Sequence, residues 1–172
     1  MSYLSYTKNL GNFMELLLRD HKRYMPIVEF VDNVTQQLYE LSWEECELIF
    51  IDISKINGSE FCTGIHTGVA NALNNTAKPI RNEKLNPLIK LARKFNNNAQ
   101  NVEENDIQIV KDAGWSDQTI EDVAGLVAII NVYNILANGL GFKALPAEAF
   151  DEMGKATIQQ GYKTMFNHYI NM

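Results

Sequence analysis

Cys62 and His66 are four residues apart in a stretch whose apolar side chains recur at helical spacing. At that separation two side chains stack on one helix face about a turn from each other, so the imidazole can reach the thiol directly or through one water. Cys62 falls in the first turn, where the helix dipole and free N–H groups favour a thiolate, and the sequence therefore predicts a lowered thiol pKa and an activated nucleophile. Glu47, on the helix before, points away from the solvent face marked by Glu44, Glu45, Asp52 and Lys55. If the two helices fold back at Asn57-Gly58, Glu47 lies about ten residues before the turn and His66 about eight after it, at ~15 Å and ~12 Å along their axes, so the two groups should meet. A carboxylate against the ring would orient it and raise its basicity, giving a relay Glu47, His66, Cys62. Each residue also has a plainer reading: Cys62 as a small core hydrophobe, His66 as a core histidine, Glu47 as a structural carboxylate. Ser59 reads first as a helix cap, with a contact to the sulfur as the alternative.

The elements that must position these groups are all helical, because sustained period-two alternation of β-branched residues is absent. Two helices are expected over Asn12 to Leu38, with Pro26 beginning the second or kinking a long one. Ser42-Trp43-Glu44-Glu45 has the form of a capping box, which starts a helix running from about Trp43 to Ile56. The helix bearing Cys62 covers about Glu60 to Asn74, and Thr76 to Asn82 reads as a loop. Glu83 to Asn96 is a further helix ending in an Asn96-Asn97-Asn98 loop, followed by a short one from about Glu104 to Ala113. Ser116 caps a long apolar helix to about Asn138, within which Asn131 and Asn134 are expected to cross-link helices. Pro146 opens the last helix, to about Tyr169, whose Met and aromatic positions, Tyr162 among them, read as core or oligomer contacts. Ser42, Glu47 and Asn57 recur at the same offsets as Ser116, Glu121 and Asn131, by duplication or by chance. The expectation is one all-α domain over residues 1–172, with about eight helices.

Composition narrows the function. With 46% hydrophobic and 21% charged residues the chain can bury a real core, which excludes wholesale disorder. The 15 basic against 21 acidic residues leave a net charge of −6 with no basic cluster, arguing against a nucleic-acid partner or a polybasic membrane patch. The opening residues lack a basic region followed by an apolar one, so a cytoplasmic location is expected. The apolar stretch Val123 to Ala137 is shorter than a bilayer span of ~20 residues, so no membrane association is expected. Cys46 and Cys62 are expected as free thiols, and no metal or other cofactor is expected, because His21, His66 and His168 share no ligand spacing.

Glu47, then eleven residues, then Ser59-Glu60-Phe61-Cys62, then three residues and His66, resembles the alkylhydroperoxidase D-like members of the carboxymuconolactone decarboxylase family. Their motif is a Glu, a Cys-x-x-Cys and a His at these intervals. Gly114-Trp115-Ser116-Asp117 and Asn131-Val132-Tyr133-Asn134, followed by Asn138-Gly139-Leu140-Gly141, resemble its peroxidase-related branch, so the likeness spans about residues 12–141, with the C-terminal helix (about 146–169) beyond it. The resemblance implies an all-helical bundle that forms trimers or hexamers. It also implies a peroxidase-type oxidoreductase or related thiol redox protein, in which Cys62 reacts with a hydroperoxide or a partner's disulfide and His66 and Glu47 relay protons. Ser59 stands where the family has its first Cys, so the two-thiol cycle is not available within the motif. Cys46 points towards the packed face, which leaves resolution to an external thiol or to a cysteine of another chain. Two other functions fit the same residues: decarboxylation or isomerisation of a lactone-like acid without the thiol, and a redox-inactive oligomeric scaffold that has lost the Cys pair.

Overall fold

The computed structural model describes residues 2–36, 40–74 and 83–171. Among these residues there are eight α-helices and no strands. The helices are α1 (Phe13–Arg19), α2 (His21–Gln36), α3 (Trp43–Ile56), α4 (Glu60–Asn74), α5 (Leu85–Asn98), α6 (Glu104–Asp112), α7 (Asp117–Gly139) and α8 (Ala147–Ile170), with 3-10 turns at Ser5–Thr7 and Ala99–Asn101. The expected Thr76 to Asn82 loop and Leu38 lie outside the described residues.

Local chemistry sets most boundaries. Ser42 and Glu45 form the reciprocal capping box at the start of α3. The Ser116 hydroxyl accepts from Thr119 N–H at the start of α7. Positive φ at Gly58, Gly114 and Gly141 turns the chain after α3, α6 and α7.

Three boundaries differ from the sequence reading. The first two helices part at Asp20, whose backbone leaves the helical region, and Pro26 lies inside α2. The bond Pro26 cannot make would go to the carbonyl of Lys22, an exposed residue whose carbonyl water can satisfy. Asn96-Asn97-Asn98 is helix rather than loop, because tertiary partners outweigh weak helix propensity. Asn96 exchanges amide bonds with Asn57 at 2.9 and 3.2 Å and accepts from Asn131 at 2.7 Å. Asn131 and Asn134 do cross-link helices, the latter by accepting from Ser54. The last helix is broken at Gly161, where φ 78 and ψ 164 redirect the chain. Of the echoed pairs, Ser42 and Ser116 both cap helices, whereas Glu47 is buried and Glu121 exposed.

Helix α7 has 23 residues and is long and apolar enough to cross a membrane by length and composition, with 44% of its most apolar window buried inside the protein. It packs on α3, α5, α2 and α4, and its buried face includes Val123, Leu126 and Ile130.

Helices α4 and α8 cross at close range, and glycines make it possible. A Cβ on Gly68 would stand 2.2 Å from the Phe150 carbonyl oxygen, and one on Gly154 2.2 Å from the Gly68 backbone. Backbone cannot swing aside as a side chain can, so either methyl must push the helices apart. Gly154→Ala should therefore cost about 1–3 kcal/mol by overpacking. Gly139→Ala, with nothing within 4 Å, should be neutral or stabilise by under about 1 kcal/mol. Urea melts of both variants check this, and equal stabilities would contradict it.

Candidate active site

The turn at Asn57-Gly58 folds α4 back along α3, held by Ser59 N–H to the Ser54 carbonyl at 2.8 Å. This antiparallel register brings Glu47 and His66 together, with His66 Nδ1 2.7 Å from Glu47 Oε2. Both are buried, Glu47 completely. A carboxylate taken out of water needs donors for its lone pairs, and this one has them from three helices. Trp43 Nε1, one turn earlier on α3, and the Tyr162 hydroxyl, from α8, each donate to Oε1 at 2.8 Å. His66 takes Oε2. Its ring packs on Phe50 at a centroid distance of 4.6 Å.

Cys62 is placed in the first turn of α4 and is 2% exposed. Burial pushes its thiol up to about 11, and its interaction with the Ser59 hydroxyl opposes that shift only in part. The expected lowering by the helix terminus is thus overturned, because helices closing over the first turn remove the water a thiolate needs. Ser59 is not the side-chain cap expected. Its hydroxyl is buried without a well-aligned hydrogen bond and faces the sulfur instead of a helix N–H. Burial, reinforced by the charges of Glu47 and Glu45, also pushes the Cys46 thiol up. Both cysteines are free.

Cys62 and His66 open onto one cavity of about 60 Å³, together with Tyr133 of α7 and Tyr162. Among the described residues the rest of its wall is apolar, with Phe13, Phe50, Phe61, Ile65, Ile129, Met153 and Met165. That volume holds a few water-sized groups. Cys46 is not part of the wall. Among the described residues no hydrogen bond joins Cys62 to His66, so a proton passes between them only through something occupying the cavity. Burial, with a smaller contribution from Cys62, pushes the Tyr133 phenol up, so it stays protonated at neutral pH.

The sequence reading missed Trp43 and Tyr162 as parts of the site. Trp43 carried a signal, being four residues before Glu47 on the same helix. Tyr162 carried little, since it is 115 residues from Glu47 and was read as packing.

With a Cys62 pKa of about 11, alkylation at pH 7 should run on the order of 300-fold slower than for a free cysteine of pKa ~8.5. The folded chain also holds this proton more tightly than the unfolded chain, so stability should fall as pH rises from ~8.5 towards 11. Iodoacetamide labelling followed by mass spectrometry across pH checks the first expectation, and urea melts the second. Fast labelling of Cys62 at pH 7 would contradict both.

No family model and no curated protein matches the chain in sequence. Its fold does have solved counterparts. A protein of Ralstonia eutropha JMP134, described as an alkylhydroperoxidase AhpD core and an uncharacterized peroxidase-related protein, superposes with a TM-score of 0.70. The match covers 81% of this chain and 78% of that one, at 19% identity. An uncharacterized peroxidase-related protein of Silicibacter sp. TM1040 superposes with a TM-score of 0.71 over 84% of this chain and 82% of that one, at 18% identity. At these identities the likeness is one of fold: the chain has the all-helical alkylhydroperoxidase D-like architecture.

Proposed function

We propose that this protein reduces hydroperoxides through Cys62, in a cycle that uses one protein thiol. The observation carrying this reading is that the sulfur and the imidazole share one cavity while Glu47 fixes the ring from behind. Both acceptors near His66 Nδ1 hold the proton there, which leaves Nε2 as the basic nitrogen. The peroxidase-related descriptions of the two structural counterparts agree with it.

Cys62 rests as a thiol, so proton removal belongs to the reaction step. As the sulfur attacks the terminal oxygen of R–O–OH, His66 Nε2 takes the thiol proton through one water or the peroxide itself in the cavity, and returns it to the departing alkoxide. The S–O bond forms as the O–O bond breaks, giving Cys62–SOH and ROH. A small thiol then displaces water to form a mixed disulfide, and a second thiol releases Cys62–SH and a dithiol disulfide. The sum is ROOH + 2 R′SH → ROH + H2O + R′SSR′. An external reductant is needed because Ser59 has no sulfur and Cys46 lies outside the cavity.

Two observations favour the rival reading, a scaffold without redox activity: Ser59 in the first motif position and the raised Cys62 pKa. A lactone-acid enzyme has less support, since among the described residues no Lys or Arg lines the cavity to hold a carboxylate. The deciding experiment treats the protein with tert-butyl hydroperoxide in the presence of dimedone and maps the adduct by mass spectrometry. Labelling of Cys62 is expected, abolished in Cys62→Ser and slowed about 10²–10⁴-fold in His66→Gln. An unlabelled wild type, with labelling only in Ser59→Cys, would establish the scaffold reading.

A further inference from the structure

The break in α8 has a consequence for His66. At Gly161 the backbone adopts φ 78 and ψ 164, a region that essentially only glycine reaches. A Cβ there would also stand 2.4 Å from Gln36 Nε2 and 3.0 Å from Asp32 Oδ1, both on α2. The chain restarts as helix at once, and Asp32 accepts from Lys163 N–H at 3.0 Å, serving as a cap supplied by another helix. Lys163 Nζ pairs with Glu29, also on α2, at 2.8 Å. The residue between the glycine and this cap is Tyr162. Its side chain is turned inward, and its hydroxyl lies 2.8 Å from Glu47 Oε1 and 3.1 Å from His66 Nδ1.

With Glu47 as a carboxylate, hydrogen bookkeeping at these atoms has one solution at Nδ1. The phenol has a single proton, and Glu47 Oε1 accepts it. The Tyr162 oxygen therefore faces His66 Nδ1 with lone pairs, as does Glu47 Oε2. Nδ1 must carry the ring proton, because a lone pair there would oppose two acceptors. From this we infer that Tyr162 is a positioning residue: anchored by the Asp32 cap and the Gly161 break, it holds Glu47 and fixes His66 as the Nδ1–H tautomer, with Nε2 free to act as the base. The inference rests on the hydroperoxide reading for its catalytic meaning, whereas the tautomer itself can be read without turnover.

Long-range 1H–15N spectra of protein carrying 15N-histidine show which nitrogen of His66 is protonated, with exposed His168 as an internal reference. The wild type should show Nδ1–H. Tyr162→Phe keeps the ring and removes only the hydroxyl, and should give a mixture or the Nε2–H form. Sulfenylation of Cys62 by tert-butyl hydroperoxide should slow about 10–100-fold alongside, as for other residues that orient a functional histidine. Asp32→Ala, which leaves the cavity wall intact, should move the tautomer in the same direction. Asp32→Asn, which keeps an acceptor for Lys163 N–H, should restore it. If Tyr162→Phe and Asp32→Ala both retain the wild-type tautomer, the assignment is overturned. If the wild type forms no sulfenic acid, the hydroperoxide function fails and the tautomer comparison alone decides the role of Tyr162.

Discussion

A carboxylate without access to water is the constraint around which this protein is arranged. Glu47 is completely buried, and an uncompensated charge there would cost several kcal/mol. Indole, phenol and imidazole supply its donors from α3, α8 and α4. Each donor must arrive within hydrogen-bond distance, so the Glu47 site fixes how these helices register against one another. The glycine contacts between α4 and α8 serve the same end, since only a close crossing lets the Tyr162 hydroxyl reach across.

That arrangement divides the site into two regions of opposite character. Behind His66 is a fully partnered polar network, and in front of it is an apolar cavity holding the sulfur. The imidazole and the Tyr162 ring belong to both. A base presented to a mostly apolar cavity has few competing polar partners, and a thiol kept protonated by burial is inert until something enters. The raised pKa of Cys62 thus describes a resting state, in which reactivity depends on what occupies the space between sulfur and ring.

Much of this was legible in the chain. Ser42-Trp43-Glu44-Glu45 and Asn57-Gly58 are local signals, acting within a few residues through backbone hydrogen bonds and allowed φ, and they set the α3–α4 hairpin. Once the hairpin exists, counting residues from its turn is enough to place Glu47 opposite His66, because rise per residue is a constant of the helix. Asn96-Asn97-Asn98 read wrongly for the converse reason: its helix depends on Asn57 and Asn131, partners far away in sequence.

The amino-acid sequence by itself determined the helical class, the main caps and turns, and the facing of a carboxylate and an imidazole, since all of these follow from periodicity and near-neighbour chemistry. Only the tertiary structure decided the state of the sulfur and the makeup of the network. Desolvation of Cys62 depends on the helices that close over it, and Tyr162 reaches Glu47 only because α2 holds α8 at its break. Burial and long-range hydrogen bonds are properties of the packed assembly of helices, so no window along the chain contains them.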